Sequence, residues 1–252
     1  MIRILRVIKE IAFNLKGLSS FFEEWRMHRI QSKMQLNDIY ALALLRPLQN
    51  DINKYETFTS FSIAPSVIVH VLNDIVINER KSIIEFGTGN STIYIARLIH
   101  SQQLPIEFIS VDQDGDWQES VKQTLIREGI TNVVKFVHAP IEECGYQFKS
   151  QTQWYGLDKL ANQIAGKKFD LVIVDGPVAS KVPHARYPAV PFLKTYFNEE
   201  ISIYLDDAGR KGEIEIMEEW EKLLTVKFQK TDRYSHFSRG TTMSFVPVFY
   251  RR

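Results

Sequence analysis

Ser82-Ile83-Ile84-Glu85-Phe86-Gly87-Thr88-Gly89-Asn90-Ser91-Thr92-Ile93-Tyr94-Ile95-Ala96 is the stretch that decides the fold. A short apolar run from Ser82 to Phe86 carries one acid, Glu85, and ends at a Gly-Thr-Gly turn. Behind the turn, Ser91 opens a helix that continues to about His100. Glycine lets a backbone come close to a ligand with no Cβ in the way. A strand, a glycine loop and a helix N-terminus in that order hold a nucleotide-like ligand at the end of a parallel strand.

The pattern repeats downstream. The residues predict strands at 106–111, ending at Asp112, at 133–137, at 169–174, ending at Asp175-Gly176-Pro177, and at 201–205, ending at Asp206-Asp207. Helices are expected at 65–77, 117–128, 191–198 and 213–224, with Pro65 in a first turn and Gly129 as a stop. Strands alternating with helices imply a parallel sheet with right-handed crossovers. The run 169–174 is apolar apart from Asp170, as a central strand requires. Two further strands, 225–233 and 241–249, have little chain between them and so read as an antiparallel hairpin. Residues 140–168 read as a long insert carrying Tyr146, Trp154 and Tyr155.

Residues 1 to about 46 read as helix, with Ile4, Ile8, Ile11, Leu15, Leu18 and Phe22 on one face. Residues 1–61 are therefore expected to be a helical extension and linker, and 62–252 the main domain. The first 46 residues hold eight Lys/Arg against four acids, so they carry +4 of a chain whose net charge is +1. Such a helix can touch an anionic membrane peripherally, pack on the main domain, or join a second copy as a homo-oligomer. The near-neutral whole gives no reason to expect nucleic acid as a partner. A single cysteine, Cys144, excludes an intrachain disulfide and a cysteine zinc cluster. Charges at Arg3, Arg6, Lys9 and Glu10 interrupt any signal-peptide core, and a cytoplasmic setting is expected.

Ligands of open α/β sheets lie beyond the carboxyl ends of the strands. There the sequence gathers Glu85 with Phe86, Gly87, Thr88, Gly89, Asn90 and Ser91, then Asp112, then Ala139-Pro140, then Asp175 and Asp206-Asp207. Asp112 is placed to accept hydrogen bonds from both ribose hydroxyls. A nicotinamide site is the competing reading of these residues. Thr92 stands where the dinucleotide fingerprint has its third glycine, and Glu85 would repel a pyrophosphate. A cationic sulfonium and amino group would instead be tolerated.

The segments IIEFGTGNSTIYIA, FISVDQD, FDLVIVDGP, ISIYLDDAGR and GTTMSFVPV together resemble the class I S-adenosylmethionine-dependent methyltransferases, over about residues 62–252. The resemblance implies a Rossmann-like α/β fold: a seven-stranded, mostly parallel sheet with an antiparallel C-terminal hairpin, here with an N-terminal helical extension. It implies that Glu85–Ser91 holds the methionine part of S-adenosyl-L-methionine, Asp112 the ribose, and the segment with Ala139 and Pro140 the adenine.

Asp175, Asp206 and Asp207 lie at the tips of adjacent strands, where three carboxylates repel one another unless a cation or a donor stands between them. Mg²⁺ suits oxygen ligands and lowers the pKa of a hydroxyl. This resembles metal-dependent O-methyltransferases of the sugar and antibiotic type, and implies a small-molecule or glycan-type hydroxyl as acceptor. The competing expectation is that Asp207 caps the next helix and Asp175 binds loop amides. Asp175, His184 and Arg186 are the candidate catalytic residues, His184 as a base in a metal-free site and Arg186 as a partner for a substrate anion or an enzyme acid. A non-catalytic binding or assembly module was the remaining alternative.

Overall fold

A computed structural model describes residues 2–49, 57–178, 182–241 and 243–247, with backbone only for 2–19. The first half of the chain runs α1 (Ile2–Leu45), α2 (Pro65–Ile77), β1 (Ser82–Phe86), α3 (Asn90–Gln102), β2 (Glu107–Asp112), α4 (Gly115–Arg127) and β3 (Val134–His138). The second half runs β4 (Ile141–Phe148), β5 (Gln151–Tyr155), α5 (Leu157–Ile164), β6 (Phe169–Val174), α6 (Ala189–Leu193), β7 (Phe197–Leu205), α7 (Lys211–Leu224), β8 (Gln229–Lys230) and β9 (Ser235–Arg239).

Seven strands form one sheet in the order β3-β2-β1-β6-β7-β9-β8. The first five are parallel, and β9 and β8 are antiparallel. The chain lays strands outward from β1 to β3, then returns to place β6 on the other side of β1. That reversal between β1 and β6 creates the crevice in which ligands of such sheets bind.

Alternation along the central strands divides the core. Ile84, Phe86, Val172, Val174, Ile203 and Leu205 face one layer, with Trp154, Phe192 and Trp220. Ile83, Phe108, Leu171, Ile173 and Tyr204 face the other, against α2 and α3. Successive strand residues point to opposite faces, so strands apolar on both faces are those covered by helices on both sides. The register aligns Phe86 with both Val111 and Val174, and Val174 with Leu205. Asp112, Asp175 and Asp206 therefore leave the sheet at one edge.

Three segments differ from expectation. The hairpin is made by β8 and β9, not by 225–233 with 241–249; the described residues past Arg239 form no strand. Phe245 instead plugs the core beside α2, where Asn73 Nδ2 donates to its carbonyl. Residues 140–168, read as one long insert, have regular structure: the β4–β5 ribbon followed by α5. The helix expected at 191–198 runs instead over Ala189–Leu193 with a 3-10 turn to Tyr196, because Phe197 and Asn198 already belong to β7.

Helix α1 meets the domain through Asn37, Ala41 and Leu45, which are buried at four-residue spacing. Asp38 beside them accepts from Ser66 N at 3.2 Å and pairs with Arg233 at 3.3 Å. Phe22, the described end of the apolar face read from the sequence, is exposed, as are Phe21, Trp25, Leu36, Ile39 and Tyr40. The side chains of Ile4 to Leu18 lie outside the described residues. No described helix is long and apolar enough to cross a membrane.

Candidate active site

A cleft of about 700 Å³ opens at the carboxyl edge of the sheet, where β1 and β6 diverge. Its floor is a close contact between two loops. Phe86 O accepts from Asp175 N at 2.9 Å and from Gly176 N at 2.7 Å. Gly87, with φ +102°, passes so near Gly176 that a Cβ on it would stand 2.9 Å from the Gly176 nitrogen. Both glycines are required by this approach.

One end of the cleft is lined by Gly87, Thr88, Gly89, Asn90 and Ser91, at the N-terminus of α3, with Asp112, Gln113, Asp114 and Trp117. Asp112 Oδ2 accepts from Thr88 N at 2.7 Å and its Oδ1 from Asp114 N at 2.8 Å. Each carboxylate oxygen keeps a further lone pair for a ligand hydroxyl. Burial raises the Asp112 pKa, against the pull of those amides. Trp117 is the residue that sequence reasoning missed. Its Nε1 donates to Thr88 O at 2.7 Å, which fixes the ring at the cleft wall while leaving it half exposed. A tryptophan two residues into a helix, just after a strand-end acid, was the signal available.

Glu85 does not face the cleft. Its carboxylate is fully buried and accepts from Ser91 Oγ, from Thr92 Oγ1 at 2.5 Å and from Ser110 Oγ at 3.0 Å. Burial, opposed by these hydroxyls, pushes its pKa up to about 7. Its role is to tie the start of α3 to β1 and β2, so of the stretch Glu85–Ser91 expected to hold the cofactor this side chain lies outside the cleft lining. Phe86 is also fully buried, stacked on Tyr155. Ala139 is buried, Pro140 is exposed, and neither lines the cleft.

The other end of the cleft is lined by residues 59–63, Asp175, Val178, Arg186, Asp206, Asp207, Arg210 and Arg233, with Tyr155 at the back. Oxygens of Asp175, Asp206 and Asp207 lie within 4.8 Å of one another. Arg186, 4 % exposed, bridges two of them: Nη2 is 3.1 Å from Asp175 Oδ1 and 3.0 Å from Asp207 Oδ2. Its Nη1 donates to Asp206 O at 3.0 Å. Arg210 Nη1 pairs with Asp207 at 2.8 Å, so Asp207 is engaged by two arginines instead of capping α7. Burial, with Asp175 and Asp207 alongside, pushes the Asp206 carboxyl well above the usual carboxylate range. Burial raises Asp175 as well, with Arg186 opposing. As a Mg²⁺ site the trio fits poorly, because two of its three carboxylates are already committed to a guanidinium.

His184 is not among the residues lining the cleft. Its Nε2 lies 2.6 Å from Glu215 and its ring abuts Phe148. Lys149 shares that glutamate at 2.5 Å, so His184 closes the β4–β5 ribbon onto α7. Trp154 is core, while Tyr155 reaches the cleft.

A family model described as a methyltransferase domain matches residues 84–208, the span from β1 through the Asp206-Asp207 pair. The chain carries a methyltransferase domain of the class I, S-adenosylmethionine-dependent fold. Solved structures of similar fold include a Staphylococcus aureus protein assigned as a caffeoyl-CoA O-methyltransferase, at 12 % identity and TM-score 0.56, over 81 % of this chain and all of that one. An O-methyltransferase from Bacillus cereus in complex with S-adenosylhomocysteine is similar at 12 % identity and TM-score 0.51, over 82 % and 87 % of the two chains. The O-methyltransferase TomG from Streptomyces achromogenes, with S-adenosylmethionine bound, is similar at 12 % identity and TM-score 0.50, over 78 % and 87 %. No curated protein sequence matches this chain. The match decides against a nicotinamide site. In this methyltransferase domain the residues present suit the cofactor: open backbone at Gly87–Ser91, a strand-end acid at Asp112 and an aromatic wall at Trp117.

Proposed function

We propose that this methyltransferase methylates a hydroxyl oxygen of a small molecule or sugar. The observation that carries the reading is the place of Asp175. Its Cβ lies 3.4 Å from where a Cβ on Gly87 would be, so a half-buried carboxylate abuts the cofactor loop. A hydroxyl must lose a proton to become a useful nucleophile, and a positioned base supplies that help. Burial raises the proton affinity of Asp175 above that of a solvated aspartate and so makes it a better base.

S-adenosylmethionine, when bound, supplies an electrophilic methyl on a sulfonium. The protein would hold it through the Gly87–Ser91 backbone, Asp112 and Trp117, and the cleft walls would exclude water. The acceptor would enter between Asp175 and the segment 59–63. Two polar atoms at that end are buried and unpaired, Asp206 Oδ1 and Arg186 Nε.

A radiolabelled methyl-transfer assay against panels of sugars, phenols, amines and thiols tests the reading. Turnover is expected with hydroxyl acceptors. The Asp175→Asn variant should lose about 10²-fold or more of it, in line with removal of a general base. Turnover with amines or thiols alone, unaffected by Asp175→Asn, would sink the proposal.

A further inference from the structure

We propose that the guanidinium of Arg186 takes the place and the electrostatic task of a divalent cation among Asp175, Asp206 and Asp207, so that methyl transfer here needs no metal. The inference rests on the O-methyltransferase reading and specifies how its acceptor site is charged.

The argument is geometric. Three carboxylates at two adjacent strand ends repel, and something positive must stand between them. Arg186 Nη2 bonds Asp175 at 3.1 Å and Asp207 at 3.0 Å at once. Nη1 is anchored on the backbone carbonyl of Asp206, one residue before Asp207. The guanidinium thus contacts all three residues of the trio and is held by both strand ends. Arginine stays charged when buried and presents planar, paired donors matched to carboxylates. It cannot step aside cheaply, since moving it would strip Asp175 and Asp207, both largely shielded from water, of their shared partner. A second cation within contact distance of the same oxygens would face direct repulsion from it. Arg210 adds a further positive charge at Asp207, 2.8 Å away. The two arginines thus offset two of the trio's three negative charges.

The task assigned to the cation is unchanged. The acceptor oxygen gives its proton to Asp175 and a lone pair to the methyl carbon, while the pair of the breaking C–S bond stays on sulfur as the neutral thioether. During this step negative charge develops on the acceptor oxygen, and Arg186, lining the same cleft, faces it. A fixed positive group aimed at developing charge is the effective form of electrostatic catalysis.

Mn²⁺ uptake followed by the electron paramagnetic resonance signal of the free ion tests the proposal without an identified acceptor. The protein is loaded with S-adenosylhomocysteine, whose binding is measured by calorimetry in the same preparation. The wild-type chain is expected to leave the Mn²⁺ signal at the level of protein-free buffer. Arg186→Met is expected to remove Mn²⁺ from solution stoichiometrically, and Arg186→Lys, which keeps the charge, to remove none. Stoichiometric loss of the free-ion signal with wild-type protein, restored by Asp175→Asn, would overturn the proposal. So would a folded Arg186→Met protein that takes up no Mn²⁺, since the trio would then never have been a cation site. Failure to bind S-adenosylhomocysteine in calorimetry would instead strike the methyltransferase reading on which this one rests.

Discussion

Gly176 faces the hydroxyl of Tyr155 with no room for a side chain between them: a Cβ on Gly176 would stand 2.3 Å from Tyr155 Oη and 3.0 Å from Gly87 Cα. Tyr155 is itself buried and stacked on Phe86, so it cannot yield. Gly176→Ala is therefore expected to destabilise the fold by about 1–3 kcal/mol, the usual cost of overpacking. Because the displaced groups form the cleft floor, S-adenosylhomocysteine affinity should fall with it. Urea denaturation and calorimetry on the same variant check both.

Asp112 and Trp117 should contribute to cofactor affinity in separable ways. Asp112→Ala removes the acceptor for Thr88 N and Asp114 N as well as for a ligand hydroxyl. A loss of about 1–3 kcal/mol in S-adenosylhomocysteine binding is expected, with some loss of stability. Trp117→Ala leaves the loop amides paired and should cost about 1–3 kcal/mol of binding through lost base stacking. Calorimetry with S-adenosylhomocysteine against S-ribosylhomocysteine, which lacks the base, separates them. Trp117→Ala should not weaken binding of the baseless ligand.

Stability against pH should carry two opposed slopes. Glu85 rises from an ordinary 4.5 to about 7 in the fold. Its contribution is whole below about 4.5 and is lost as pH climbs through 7. His236, buried beside His70 and with Asp74 opposing, falls from 6.5 to about 4. Its contribution is whole above about 6.5 and is lost as pH falls through 4. Each shift corresponds to about 3 kcal/mol at full development. The wild-type protein should therefore be flattest where the two windows overlap. Glu85→Gln should lose the fall in stability on the alkaline side, and His236→Asn the fall on the acid side. Chemical denaturation midpoints from pH 4 to 8 read both.

The joint between α1 and the domain is small and should be sensitive. Leu45 is 1 % exposed and Ala41 fully buried. Leu45→Ala is expected to cost about 2–5 kcal/mol. Limited proteolysis should then cut α1 earlier than in wild type, while S-adenosylhomocysteine binding at the Gly87–Ser91 end of the cleft is retained.

Much of this molecule was readable from its residues because the parallel core leaves little choice. Runs such as Phe169–Val174, buried along their whole length, can only be central strands, and their end residues must then share an edge. That logic placed Asp112, Asp175 and Asp206 correctly on the cleft. It misplaced the last strand because β9 reads Ser-His-Phe-Ser-Arg, a polar string with no strand pattern. Ser235 and His236 are buried there beside a network that no local rule reveals: His70 with Tyr234, Tyr204 with Asp74, and Arg80 with Asp74 and Ser202, which Ser238 joins through Ser202. Glu85 was read as a ligand residue because its position lies beside the glycines. Side-chain direction within the strand turned it inward to three hydroxyls instead. His184 drew notice by its chemistry, and only tertiary packing on Glu215 shows it to be structural.

One carbonyl, that of Phe86, receives the amides of both Asp175 and Gly176. The half of the cleft that would carry the methyl donor and the half that would receive the acceptor are thereby parts of one rigid piece. Their separation cannot be retuned by small movements of either loop. A lineage adapting this scaffold to a new acceptor would have to rebuild the rim, in the segments around residues 59–63 and Val178, while the distance over which the methyl travels stays inherited.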